Sequence, residues 1–493
     1  MMKKTAVLAL STVLASQLMG AEDLSEMLKE GKAGGFVRVH HIFPEASSTV
    51  AENGSVIGGK LKYQTGALYG LRFGTALYAV HDTGLTDKTY LTRDGYSHVE
   101  QGLRGDDMGN YSTLGEAYAS YHLSNTDITY GRQEFKTPMT ESQVTFIPNL
   151  FEGTVATIKE LPNTTITAAH ITKMQYGTRT GTEAALTGDG VYAITAGAGY
   201  GFISPVVNGT TGVITPGAGK ESFQDIGQAM FGKNPNGTQR VDSAGVTSLG
   251  IDYKQGDFKA RIWDYYAHEM YNTIYADAEY KIDAGPAKVT LGAQILKQDD
   301  VGDFATSGGG SQLKILRSVS RPNGTPLYRT KISADGSIDA LLWGAKAQAE
   351  IGDLTIKAAF NKNEDGHVMN TWGGDPGYTS TQFGRNEYRA DTTAYKLGFE
   401  YNLQSFVPGL RFMYDVAHYS TDVQQWTGGT VGTDSGTLST VVRNEDATVH
   451  DYTLHYAVPS VKGLWFRLFF VDRENPTRDY THNHTRLIAN LSF

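Results

Sequence analysis

The sequence predicts an all-β fold: an 18-stranded antiparallel transmembrane β-barrel with short periplasmic turns and long extracellular loops. Composition is the first of three observations behind this. The 493 residues include 57 glycines and 28 tyrosines but no cysteine, and only 40% are hydrophobic, which favours many strands and turns over helix bundles. Second, apolar and polar residues alternate with period two along the whole chain. Third, short connections alternate with long ones, an asymmetry that outer-membrane barrels require and soluble domains rarely tolerate.

The N-terminus reads as a leader. Lys3 and Lys4 precede an apolar stretch from Thr5 to Met19 that ends in the small residues Gly20 and Ala21. This is the pattern of a secretory signal peptide, 1–21, and the apolar stretch is too short to span a bilayer. A short periplasmic segment, 22–34, precedes a barrel domain, 35–493. No later apolar run reaches the length of a membrane helix. Without Lys3 and Lys4 the mature chain has 41 basic against 52 acidic residues, a net charge of −11, which argues against nucleic acid as a partner. An exported chain without cysteine has to hold its fold without disulfides.

One opening strand, Gly35–Phe43, places Val37, Val39, His41 and Phe43 on one face and Arg38 and His40 on the other. Strand pairs are then expected at Gly58–Thr65 with Leu68–Ala79 around a Gly66-Ala67 turn, Thr113–Leu123 with Thr126–Glu134, and Phe151–Ile158 with Thr164–Lys173. Next come Gly245–Lys254 with Phe258–His268, Asn272–Ile282 with Ala287–Lys297, and Ile338–Ile351 with Leu354–Lys362. Asp391–Asn402 with Gly409–Tyr419 and Ala447–Ala457 with Leu464–Asp472 complete the pairs, and His484–Phe493 closes the series. Long connections follow at Met174–Ala244, Gln298–Ser337, Asn363–Ala390 and Ser420–Asp446. In lipid every backbone polar group needs a partner within the protein, so such strands cross only as a closed barrel, apolar outside and polar inside. The terminal Phe493 on an amphipathic last strand resembles the sorting signal of bacterial outer-membrane barrels.

Parity assigns the interior. Taking the apolar set as outward directs Arg411, Arg467, Arg486, Arg38, Lys60, Lys62 and Arg72 into the lumen. If the last strand pairs with the first, they form one basic wall. Inward acidic residues fall largely elsewhere: Glu116, Asp252, Asp277, Glu279, Glu350 and Glu400. Opposed charges across a wet pore would orient zwitterions and guide carboxylates along guanidinium groups. The alternative is that these charges only pair with one another and keep the pore wet. Strict alternation puts Arg132 with Ile128 and Tyr130, so only a bulge would turn it inward.

The segments Ile128–Pro138 (ITYGRQEFKTP) and Ile147–Gly153 (IPNLFEG) resemble the third-loop region of the OprD-type substrate-specific porins. The resemblance extends over essentially the whole mature chain, through Phe258–Tyr266 and Tyr275–Tyr280. It implies an eighteen-stranded channel, a loop folded inward as a constriction and an arginine ladder along the lumen. Constriction candidates are Arg132, Glu134, Lys136 and Glu141. The chain departs from the family where relatives often carry an acidic residue and an arginine before the Ile-Pro; Gln143 and Thr145 stand in that region, and Lys136 replaces a common acidic residue.

Other chemistry is weakly signalled. Gly197-Ala198-Gly199-Tyr200-Gly201 lacks the βαβ context of a nucleotide site, and His268-Glu269 lacks the second histidine of a zinc protease. Asn361–Gly366 resembles the start of a calcium loop, but Trp372 stands where a bidentate glutamate belongs. The outward histidines His41, His450 and His418 have no evident serine partner of the kind a barrel phospholipase uses. No catalytic residue, cofactor or metal is expected. The expectation is an outer-membrane porin of a Gram-negative bacterium, exported by a Sec-type route. It would pass small hydrophilic solutes, carboxylates or amino acids, passively, in contact with lipid and lipopolysaccharide, as a monomer or loose homotrimer. The competing expectation is an adhesive barrel whose long loops, Met174–Ala244 above all, bind a partner.

Overall fold

The computed structural model describes residues 21–44, 53–86, 102–141, 145–178, 206–207, 211, 213–217, 219–234, 236–320, 325–369 and 372–493. The expected leader up to Gly20, the Gly197–Gly201 cluster and Gln143 lie outside them. Eighteen strands form one antiparallel closed barrel: β1 Lys32–Phe43, β2 Gly54–Gln64, β3 Leu71–Asp82, β4 Tyr111–Leu123, β5 Thr126–Gln133 and β6 Leu150–Ile158. β7 is Thr164–Gln175, β8 Val246–Gln255, β9 Phe258–Ala267, β10 Tyr271–Ala284, β11 Ala287–Asp300 and β12 Asp339–Ile351. β13 Leu354–Asn363, β14 Thr392–Asn402, β15 Leu410–Thr427, β16 Thr437–Ala457, β17 Leu464–Asn475 and β18 Tyr480–Ser492 complete the barrel. Each pairs with its sequence neighbours, and β18 closes on β1, from Phe36 opposite Ser492 to Phe43 opposite Thr485. Closure removes the edges a membrane sheet cannot leave unpaired.

The outward parity is apolar around the circumference. Leu61, Phe73, Leu77, Ile262, Ile295, Leu397 and Phe399 are all exposed, an apolar surface far larger than a water-soluble protein tolerates and suited to lipid.

Several boundaries differ from the sequence expectation, each for a local reason. β1 starts at Lys32 because the helix α1, Leu24–Lys29, ends immediately before it. Asp23 caps α1 by accepting from the Glu26 N–H at 2.8 Å. The helix docks on the β2–β3 connection, where the Met27 carbonyl accepts from Gly66 N–H at 2.8 Å. The tight turn is therefore Tyr69-Gly70, both at positive φ, with Leu68 and Leu71 exchanging two 2.9 Å backbone hydrogen bonds. That is the primed turn a two-residue hairpin needs.

The stretch Ser420–Asp446, expected as a loop, is mostly ladder. β15 and β16 run for 18 and 21 residues, whereas about 9–11 residues cross a bilayer. The excess, roughly ten residues per strand, projects beyond the extracellular rim. The described residues 219–234 and 236–244 pack against the 301–316 stretch of the next long connection. Helix α2, Ile226–Phe231, buries Met230 and Phe231, and Phe231 meets Phe304 at 4.9 Å between ring centroids. Helix α3, Gly308–Leu313, is capped by the Ser307 hydroxyl and buries Leu313 in the same cluster.

Candidate functional site: the lumen and its constriction

Two inward loops narrow the pore. In residues 134–149, Phe146 and Ile147 are fully buried against inward side chains of β1–β4, including Ile42, Val56, Tyr78 and Val80. Gly58 permits this approach, since a Cβ there would lie 2.8 Å from the Phe146 ring. At the loop's start Phe135 packs edge-on against Phe151 and Trp263, at 6.1 and 6.4 Å. The loop thus reaches from the β9 side of the lumen to the β1 side.

The second loop, residues 364–391, has no inward signal in the sequence. Trp372 Nε1 donates to Tyr271 Oη at 2.9 Å, Gln382 N–H donates to Asp451 Oδ2 at 2.6 Å, and Arg473 Nη1 donates to the Phe383 carbonyl at 2.7 Å. These anchors on β10, β16 and β17 stretch the loop across the lumen. The two loops meet where Asn149 Nδ2 donates to the Trp372 carbonyl at 3.0 Å and Gly374 N–H to the Met139 carbonyl at 2.9 Å. The residues resembling a calcium loop serve this scaffold: Asn361 Oδ1 accepts from Thr379 N–H at 2.9 Å, and Asn363 Nδ2 donates to the Arg389 carbonyl at 2.7 Å. Glu387, on this loop, is fully buried; loss of hydration pushes its carboxyl up to about 8, although it accepts a hydrogen bond from Ser380.

The expected lumen bases share the inward parity, and the β18–β1 pairing brings those of β1, β17 and β18 together. Arg38 stacks over Phe36 and Trp465, at 4.4 and 5.6 Å. It donates to Asn490 Oδ1 at 3.0 Å and to the Thr145 carbonyl of the constriction. Arg467 lies across from His455, which also faces Arg411. Arg486 Nε donates to His484 Nε2 at 3.0 Å. Among the described residues no carboxylate pairs with Arg38 or Arg467. Arg473, donating to the Asn386 side chain at 3.2 Å, extends this arginine series toward the mouth; its parity with Arg467 marks it in the sequence.

The expected separation of acidic and basic walls does not hold, because register places a base beside most of the acids. Glu116 lies within the basic wall, 2.6 Å from both Lys60 and Lys62. Asp277 takes a bidentate pair from Arg261 at 2.8 and 2.7 Å, with Asp252 opposite Arg261 in the β8–β9 register. Glu279 is paired with Lys346 and Lys259, Glu350 with Lys281 at 3.4 Å, and Glu400 with Arg411 at 3.2 Å and Lys357 at 3.6 Å. Arg72 approaches Asp127 at 3.9 Å. Parity alone marks these additional bases; which acid each one meets depends on register.

The constriction candidates divide. Glu134 lies 3.4 Å from Lys60 and 3.3 Å from Lys136, so these charges bracket the loop's start, while Glu141 is exposed. Arg132 is not a constriction residue. The β5 ladder is unbroken on both sides, so Arg132 keeps the parity of Ile128 and Tyr130, and it pairs with Glu152 at 2.9 Å. Of the outward histidines, His450 Nδ1 meets Tyr414 Oη at 2.8 Å and His418 Nδ1 meets Thr448 Oγ1 at 3.0 Å. Among the described residues no group of histidine, cysteine or carboxylate side chains could hold a metal ion.

Comparison with known proteins gives this barrel its place. No curated protein sequence matches the chain. In fold it is similar to the Pseudomonas aeruginosa protein OpdK solved with vanillate: TM-score 0.63, 14% identity, covering 95% of this chain and 99% of that one. It is also similar to OccK3 (OpdO) of the same organism, at TM-score 0.61, 15% identity and 95% and 97% coverage. For OccK9 (OpdG), again from P. aeruginosa, the values are 0.64, 13%, 95% and 99%. The profile of the outer membrane porin, OprD family, matches residues 60–199 and 219–493. With eighteen strands closed around a lumen narrowed by inward loops, the chain belongs to the OprD family of outer membrane porins, Gram-negative outer-membrane channels for small solutes rather than enzymes.

Proposed function

We propose that this porin passes small anionic solutes, carboxylates or amino acids through their carboxylate, by passive diffusion along the arginine series of β1, β17 and β18. One observation carries the reading: most lumen acids are neutralised by adjacent bases, while Arg38 and Arg467 keep uncompensated charge beside the constriction. Guanidinium groups in a narrow wet passage offer bidentate hydrogen bonds to a carboxylate and offset its loss of hydration. Amino acids would use the same contact, with the ammonium group facing Glu134 or Glu141 on the loop.

Planar-bilayer recording tests the reading. The wild type is expected to show discrete conductance steps and prefer chloride over potassium, and replacing Arg467 and Arg486 together by glutamine is expected to shift the pore toward cations. Unchanged selectivity in that variant would count against the arginine route. Liposome swelling with small acids, sugars and amino acids would then rank the solutes. We further propose that residues 1–21 are a Sec signal removed on export, which N-terminal sequencing of the mature protein tests.

A further inference from the structure

We propose that Glu116 sets the strength of anion preference in this pore by cancelling half the charge of the lysine pair on β2. This deepens the solute reading above and rests on it.

The geometry is specific. Lys60 and Lys62 share the inward parity of β2. Glu116 reaches them from β4, two strands away, over Ala76 and Tyr78 of β3. Its Oε1 lies 2.6 Å from Lys60 Nζ and its Oε2 2.6 Å from Lys62 Nζ, and Tyr78 Oη donates to Oε1 at 2.8 Å. The Glu116 side chain is 1% exposed, so pore water and mobile ions cannot screen it, and its charge acts permanently on both lysines.

A backbone feature puts it there. The β3–β4 register shifts between Ala76 and Leu77, so that Ala76 faces Glu116 and Leu77 faces Leu114, with Gly115 as the additional residue. Without that bulge Glu116 and Leu114 would share a face. With it, Leu114 is 49% exposed on the outer surface while Glu116 is buried in the lumen wall. Bulges re-aim side chains in this way. Gly115 has no room for a Cβ, which would meet the Leu150 and Tyr78 side chains at 2.5 and 2.8 Å.

The consequence is electrostatic. Lys60, Lys62 and Glu116 together present one positive charge where the lysines alone would present two. Lys60 also meets Glu134, which meets Lys136, so alternating charges run from the wall to the start of the constriction loop. The β2 side of the wall is thereby muted, and the arginines of β1, β17 and β18 are left as the dominant attraction for an anion.

The test is the chloride-to-potassium permeability ratio, read from the zero-current potential of the full-length protein under a KCl gradient. Glu116→Gln keeps the size of the side chain and one of its two acceptor oxygens. It is expected to raise the ratio about tenfold, because one added unit charge about 6 Å away through water favours chloride and disfavours potassium by about threefold each. Lys62→Gln leaves the carboxylate held by Lys60 and is expected to lower the ratio by a similar factor. A folded, conducting E116Q porin with the wild-type ratio would overturn the inference. Should E116Q not fold, K62Q decides alone, and an unchanged ratio there overturns it equally. Wild-type protein without conductance, or arginine variants without effect, would instead overturn the solute reading itself.

Discussion

The constriction depends on Phe146, and removing its ring should open the pore. Phe146 is fully buried among Ile42, Val56, Tyr78 and Val80, and its ring lies 4.4 Å from that of His40. Truncating a buried phenylalanine to alanine costs about 3–5 kcal/mol. Here that cost falls on the docked loop, because an undocked loop would leave the ring in pore water in either case. A loss of that size lowers the ratio of docked to undocked loop by roughly 10² to several times 10³. Other anchors remain: Ile147 is fully buried, and Asn149 still holds the Trp372 carbonyl. Phe146→Ala is therefore expected to yield a folded barrel with raised single-channel conductance, more current noise and faster liposome swelling by larger solutes. Bilayer recording and a swelling series of graded sugars measure both. A folded F146A porin with wild-type conductance and size cut-off would refute the claim that this segment forms the constriction.

Four further outcomes follow from the structure. Glu387 prefers its protonated form when the second loop is docked, with its carboxyl at about 8 against about 4.3 in an unfolded chain. Docking is then strongest below about pH 4, weakens as pH rises through that interval and levels off above it; current flicker should increase from pH 5 to pH 9 and E387Q should lose this dependence. The Arg389–Glu445 pair, 2.9 Å apart with side chains 1% and 0% exposed, also involves the Tyr328 and Asn475 side chains, and Glu445→Ala should destabilise the loop assembly by about 3–5 kcal/mol, read as faster proteolysis of the extracellular loops. Arg132→Gln should leave ion selectivity unchanged in bilayers, because Arg132 is paired on the outer face; an altered permeability ratio would contradict that placement. Deleting residues 429–435 at the tip of the β15–β16 ribbon should spare conductance, whereas loss of conductance would mean that the tip helps to shape the pore.

Much of the fold is legible because a strand in a barrel wall obeys a local rule. Each residue faces lipid or water, and period-two alternation records the choice one residue at a time. This is why Tyr395, Leu397 and Phe399 could be assigned outward and Arg467 and Arg411 inward without a partner strand in view. The rule fails where backbone geometry departs from it, as at Gly115, which lets Glu116 and Leu114 face opposite ways. It is silent on loops. Asn363–Ala390 is mostly glycine and polar residues, its few apolar ones such as Val368, Trp372 and Phe383 follow no alternation, and its inward course depends on distant acceptors such as Asp451 and the Tyr271 hydroxyl.

Sequence by itself determined the class of barrel, its eighteen strands, the face of most side chains and the family resemblance, since alternation and turn residues are local properties. Only the tertiary structure decided which charges neutralise one another, which loops enter the lumen and where positive charge is left uncompensated. The physical reason is register. Whether Lys62 stands free or is held by Glu116 depends on a match across an intervening strand, and electrostatic energy varies with angstroms of separation that no single strand specifies.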